Sequence, residues 1–177
     1  MKRVIAFLLL ILSAALLMAQ KPEFLEGLGQ GYDGEWTHAS RQLLALAEAI
    51  PAEKYGWRPA PGVRSTGEVF MHIAGTNFYF LGLMGHKVPA DFEAVDVAKV
   101  ASDKPKVIAW LKRSLDAVRD AHATVTGAEL KKTAKFLGHE ATYEGLYLRI
   151  LVHANEHMGQ LVAYARMNGV VPPWSDK

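Results

Sequence analysis

The chain has 177 residues with 20 basic and 18 acidic side chains, seven His and no Cys, and half of it is hydrophobic. That length suits one domain with one core. The lack of thiols excludes disulfides and confines any metal site to His, Asp or Glu. No basic stripe or Lys/Arg run appears beyond residue 19, so the electrostatic footprint of a nucleic-acid binder is missing and no nucleic-acid partner is expected.

The N-terminus reads as a cleavable signal peptide over residues 1–19. Lys2 and Arg3 form a positive n-region, Val4 to Met18 is apolar apart from Ser13, and Ala19 precedes the expected cut. A membrane-spanning helix wants about 20 apolar residues, and this run is shorter and meets Gln20, Lys21 and Pro22 at once. The expected mature domain is therefore residues 20–177, exported to the periplasm or beyond, with no stable membrane span. Losing Lys2 and Arg3 leaves 18 basic and 18 acidic residues, a formal charge of zero.

A first helix is expected from about Glu23 to Ile50. Leu43, Leu44, Leu46, Ala47 and Ile50 fall on one stripe, and Pro51 stops it. Gly27, Gly29, Gly31 and Gly34 weaken its first half, where fraying or a bend is expected. The segment from Tyr55 to Gly62 is a loop by its Pro and Gly content. Ser65 with Glu68 is a capping box that opens a second helix from about Thr66 to Met84, and Gly85 closes it. Val69, Phe70, Ile73, Phe80 and Leu81 are its apolar residues. A looser stretch follows from His86 to Ser102.

Asp103 or Ser102 caps a third helix, with Pro105 in its first turn and Val107, Ile108, Leu111, Leu115 and Val118 as its stripe. It fades near Gly127. A polar segment containing Gly138 leads to a fourth helix from about Thr142 to Met167, ended by Gly169 and then Pro172-Pro173. No run alternates convincingly with period two. The expected fold is all-α, a four-helix bundle.

Chemistry concentrates on the fourth helix. His153 and His157 stand at i, i+4, so their rings share one helix face, and two ring nitrogens can reach one cation. With seven His in the chain, about 0.3 such pairs arise by chance, so the spacing alone is a weak signal. Ala154 follows the first His, which departs from the metalloprotease pattern. Leu148, Ile150, Leu151, Val152, Leu161 and Val162 imply a largely buried helix, where two imidazoles need partners. A shared metal or separate hydrogen bonds to backbone and Tyr hydroxyls would each serve. His72 lies in an apolar setting on the second helix and is the candidate third ligand. His38, His86, His122 and His139 have polar or loop settings and are expected to be solvated.

The segment from His153 through Glu156, His157 and Gln160 to Tyr164, Arg166, Gly169 and Pro172-Pro173 resembles the C-terminal signature of the DinB/YfiT-like family. The loop with Trp57 and Pro59, then Ser65 and Glu68, then His72, resembles that family's N-terminal half. The resemblance covers essentially all of residues 20–177. It implies a divalent metal, most often zinc or nickel, bound by His72, His153 and His157. It also implies a homodimer, commonly, and for some relatives a thiol-dependent transferase or isomerase.

Three neutral imidazoles leave a coordination position open, as catalytic sites do. A cation there lowers the pKa of a bound water or deprotonates a thiol. Low-molecular-weight thiols are mainly cytosolic, so export favours a hydrolase over a thiol transferase acting on a small molecule. Gln160 either reaches a metal-bound water or substrate or makes an ordinary interhelical hydrogen bond. Glu68 either orients His72 or belongs to the capping box. Trp57, Asn77 and Tyr79 line the pocket or belong to the core. The alternative function is a non-catalytic metal-binding or stress protein in which the metal is structural.

Overall fold

Four long helices carry the fold, and local chemistry sets their ends. The computed structural model describes residues 30–175. The elements are α1 (Gly31–Ala49), a 3-10 turn (Ala52–Lys54), α2 (Thr66–Leu83), two short helices α3 (Ala90–Glu93) and α4 (Val97–Val100), α5 (Lys104–Thr124), a short α6 (Gly127–Leu130), a hairpin of β1 (Thr133–Phe136) and β2 (His139–Thr142), and α7 (Tyr143–Met167). The expected leader at residues 1–19 and the start of the first helix at Glu23 lie outside the described residues.

Of the glycines where fraying or a bend is expected, Gly27 and Gly29 lie outside the described residues and Gly31 has φ +58°. Beyond it α1 runs on as helix through Gly34, anchored by Trp36, which is fully buried. The Trp36 indole N–H donates to the Leu115 carbonyl at 3.1 Å and ties α1 to α5. At the other end Ile50 adopts an extended conformation (φ −72°, ψ 124°), as a residue before proline must.

Helix α2 starts and stops as its sequence predicts. The Ser65 hydroxyl accepts from the Glu68 N–H at 3.3 Å, and the Glu68 carboxylate accepts from the Ser65 N–H at 2.6 Å. At the C-terminus Gly85 has φ +84°. The His86 N–H then reaches the Leu81 carbonyl and the Gly85 N–H reaches that of Gly82, each at 3.0 Å, which is the Schellman pattern. Gly169 (φ +74°) closes α7 with the same two bonds, from Val170 to Ala165 and from Gly169 to Arg166.

The looser stretch after α2 is more ordered than expected. Asp96 caps α4 by accepting from the Lys99 N–H at 3.4 Å. Phe92 of α3 packs its ring against Phe78 at 4.9 Å and Trp110 at 5.0 Å. Gly67 decides how close this layer comes. A Cβ there would lie 1.7 Å from the Ala101 carbonyl oxygen, so only glycine lets α2 approach the end of α4.

The hairpin is also a departure. Thr133 pairs with Thr142 and Phe136 with His139, antiparallel, around a turn at Leu137 (φ 50°) and Gly138 (φ 83°). Both residues at positive φ make this the two-residue turn that matches strand twist. Each strand has four residues, too few for alternation to stand out from the surrounding polar sequence.

In the bundle, α5 and α7 each pack against both α1 and α2. The core gathers Trp36, Leu43 and Leu46 of α1, Phe70 and Ile73 of α2, Leu111 and Val118 of α5, and Leu146, Ile150 and Leu161 of α7. Leu44 and Ile108, expected in the stripes, sit at its edge. Helix α7 is less enclosed than its composition suggests, since Leu148 is 52% exposed and Val152 45%. Among the described residues no helix is long and apolar enough to cross a membrane.

Replacing Gly67 with Ala forces α2 and Ala101 apart. A loss of about 1–3 kcal/mol is expected, read as a lower urea midpoint with unchanged slope. An unchanged midpoint would show that the close approach does not constrain the fold.

Candidate metal centre

Helix α2 presents His72 and helix α7 presents His153 and His157 to one another. One nitrogen from each of the three rings lies within 4.8 Å of the other two. His72 Nε2 and His153 Nε2 are 3.1 Å apart. The ring centroids are 4.9, 4.7 and 4.5 Å apart for the pairs 72–153, 72–157 and 153–157, and every pair is close to edge-on. Two nitrogens on a tetrahedral ion at 2.0–2.1 Å are about 3.3 Å apart, so the observed spacing fits a shared cation.

The protonation of His157 follows from its partners. The Arg64 carbonyl can only accept, and the Tyr164 hydroxyl donates to it at 3.3 Å. That hydroxyl must then accept from the Gln160 amide N–H, at 2.8 Å. Gln160 Oε1 is thereby turned to His157 Nδ1 at 2.7 Å, so Nδ1 carries the proton and Nε2 keeps its lone pair. This is the outer support that metal-ligating histidines usually receive. His153 is different, because its Nδ1 is buried without a hydrogen-bond partner. Two neutral rings at the 72–153 contact share a single N–H between two nitrogens; a cation accepts both lone pairs.

Electrostatics favour the neutral form of His72 and His153. Burial first, then the Arg64 cation, then the neighbouring histidines push His72 down to about 4. Burial first, then His157, Arg149 and Arg64 push His153 down to about 4. Neutral imidazole is the form that binds metals. The donor set of three half-buried histidines therefore suits a divalent cation.

Gln160 bonds His157 and Tyr164 on its own helix, in place of the interhelical hydrogen bond that was one of the two expectations for it. Glu68 serves the capping box and takes a hydrogen bond from Arg58 at 3.1 Å, so it does not orient His72. Asn77 is buried and donates to Ser114 at 3.2 Å. Trp57 packs edge-on against Tyr164 at 5.2 Å. Tyr79 does line the cleft beside His72, together with Arg64, Met71 and Phe92, and that cleft has a volume of about 680 Å³.

Two residues of the site, Tyr164 and Arg64, were given no role at it from the sequence. Tyr164 stands four residues after Gln160 and seven after His157, so helix periodicity was a usable signal. Arg64 contributes through its backbone carbonyl, which no side-chain pattern reveals. Of the remaining histidines, His86 and His139 are exposed as expected. His122 is not: its side chain is 15% exposed, bonds Asp33 at 2.6 Å and lies against Tyr32 at 4.0 Å. His38 is half-buried, with an unpartnered Nδ1.

Two facing helices thus hold a three-histidine cluster capable of coordinating a metal inside a helical bundle. The sequence model of the DinB superfamily matches residues 35–161, so the chain belongs to that superfamily. Solved structures agree in fold. A DinB-like protein from Bacillus cereus is 22% identical, with a TM-score of 0.62 over 83% of this chain and 97% of that one. The DinB-like protein YjoA from Bacillus subtilis is 21% identical, with a TM-score of 0.53 over 78% and 91%. YfiT from Bacillus subtilis, a probable metal-dependent hydrolase with an unusual four-helix-bundle topology, is 16% identical, with a TM-score of 0.63 over 85% and 94%. No curated protein matches.

The lowered histidine pKa values set a pH dependence for metal-free protein. In the unfolded chain these rings titrate near 6.5; folded, they titrate near 4. Between those values the unfolded state binds more protons, so stability falls as pH drops from about 6.5 to about 4. Urea midpoints across this window should fall more steeply for the wild type than for His72→Phe. Equal slopes would show that the rings are not held neutral by the fold.

Proposed function

We propose that this chain is an exported metal-dependent hydrolase acting on a small molecule, with zinc or nickel held by His72, His153 and His157. The observation that carries the reading is the convergence of three imidazoles, with no carboxylate among them from the described residues. Three protein ligands leave a position open, which catalytic sites have and closed structural sites lack. A divalent cation there supplies Lewis-acid chemistry, lowering the pKa of a coordinated water or polarising a carbonyl.

The chain's own residues hold and shape this chemistry. Gln160 and Tyr164 keep the His157 proton on Nδ1. Tyr79 and Phe92 narrow the cleft that leads to His72. Export is supported by the order of residues 1–19 and favours water over a thiol as the attacking group. The description of YfiT as a probable metal-dependent hydrolase points the same way.

Elemental analysis of freshly purified protein should find about one zinc or nickel per chain. Metal-loaded protein should hydrolyse members of an ester, amide and lactone panel without added thiol. His72→Ala should lose that activity while its helical circular dichroism persists. Metal-loaded protein inactive on every hydrolase substrate but active with a thiol co-substrate would replace the reading by a transferase. Collapse of the fold on metal removal, with no activity anywhere, would make the metal structural.

Gln160→Leu removes the acceptor for His157 Nδ1 and should weaken metal affinity about 10–100-fold in a chelator competition. Gln160→Glu keeps an acceptor there and should retain most of it. Equal affinity in all three proteins would remove Gln160 from the site.

A further inference from the structure

The cleft beside His72 does not end at the metal centre. A second hollow of about 500 Å³ shares Gly75, Tyr79, Phe92 and Val97 with it. The two form one trough along α2, and Gly75 sits at their junction. A Cβ built at Gly75 meets the Phe92 ring at 3.5 Å, so any larger side chain there would reach into the passage. From His72 to Leu83 the trough follows α2 for about 16 Å, at 1.5 Å per residue. Its far part is walled by Phe78, Leu83, Val88 and Val95, with exposed Glu93 at the rim.

The near end carries the opposite character. Arg58 is neutralised by Glu68 at 3.1 Å. Arg64 also lines the cleft, yet no ion pair involves it among the described residues. Its backbone is held by the Tyr164 hydroxyl, so the residue is anchored where its side chain reaches the His72 end. Among the described residues no acidic side chain joins the three-histidine cluster. The trough is thus apolar over its length and cationic at its head, even before a cation is counted.

The geometry points to a binding site for a small amphipathic carboxylate, with its head on Arg64 beside His72 and its apolar tail laid over Gly75 along α2. This rests on the metal-dependent reading of the same site, and it names the substrate class: acyl compounds with a free carboxylate and an apolar chain. Arg64 is here a specificity-determining residue. A planar guanidinium offers a carboxylate two parallel N–H donors, while an apolar tail gains by leaving water in proportion to its length.

The test is calorimetric titration of the full chain, metal-loaded and metal-free, with octanoate, butyrate and 1-octanol. Octanoate should bind at least about tenfold more tightly than butyrate, which lacks the tail, and than 1-octanol, which lacks the charge. Arg64→Gln should weaken octanoate about tenfold and leave 1-octanol unchanged, whereas Arg64→Lys should keep most of the affinity. Gly75→Leu should weaken octanoate but not butyrate, with thermal unfolding confirming an intact fold. Equal binding of octanoate and 1-octanol, or an Arg64→Gln protein with wild-type octanoate affinity, would overturn the proposal. So would the absence of octanoate binding. Metal content measured on the same samples separates the two failures: a chain without metal that still binds octanoate through Arg64 loses the hydrolase reading and keeps this site.

Discussion

Helix α2 is apolar on most of its circumference. Val69, Phe70, Met71, Ile73, Ala74, Phe78, Phe80 and Leu81 are all buried, and burying a large apolar side chain contributes about 1.5–3 kcal/mol. The surrounding elements follow from covering this surface. Helix α5 covers one side and pairs Ser114 with the buried Asn77; α7 covers another; α3 and α4 fold over a third, as close as Gly67 permits. His72 is an ionisable side chain this helix holds half-buried against its neighbours. The partners it finds are two more imidazoles, because the face of α7 that meets it carries His153 and His157.

The same packing sets the electrical character of the site. Burial lowers the affinity of His72 and His153 for protons, and the Arg64 cation acts in the same direction. The group supporting His157 is the Gln160 amide, held in turn by Tyr164. A neutral amide fixes a tautomer without adding negative charge. Bound to a divalent cation, the centre would keep its positive charge and attract anions, which agrees with Arg64, in no ion pair among the described residues, at the head of an apolar trough.

The opposite use of the same chemistry appears elsewhere in the bundle. His122 is pinned by Asp33 and packed between Tyr32 and Tyr147, with ring centroids at 4.0 and 4.8 Å. Here an imidazole with an adjacent carboxylate joins α1 to α5 as part of the packing. Histidine content alone therefore says little about function. The distinction lies in what faces the ring nitrogens: a carboxylate at His122, and other imidazole nitrogens at His72.

Much of this was legible in local sequence. Helix ends depend on near neighbours, so Ser65 with Glu68, Asp103 with Pro105, Gly85 and Gly169 located their termini to within a residue or two. The core stripes followed from periodicity. The joint order of His72, His153, His157 and Gln160 was enough to single out the candidate site. Tertiary structure decided what depends on residues distant in the chain. It turned Gln160 towards His157 because Tyr164 is anchored on the Arg64 carbonyl. It buried His122 because Asp33 lies opposite. It built the trough because α3 and α4, too short to show a period, fold back onto Gly67 and Gly75. A sequence states which groups a helix face offers; only packing determines which groups those faces meet, and the chemistry of this site lies in those meetings.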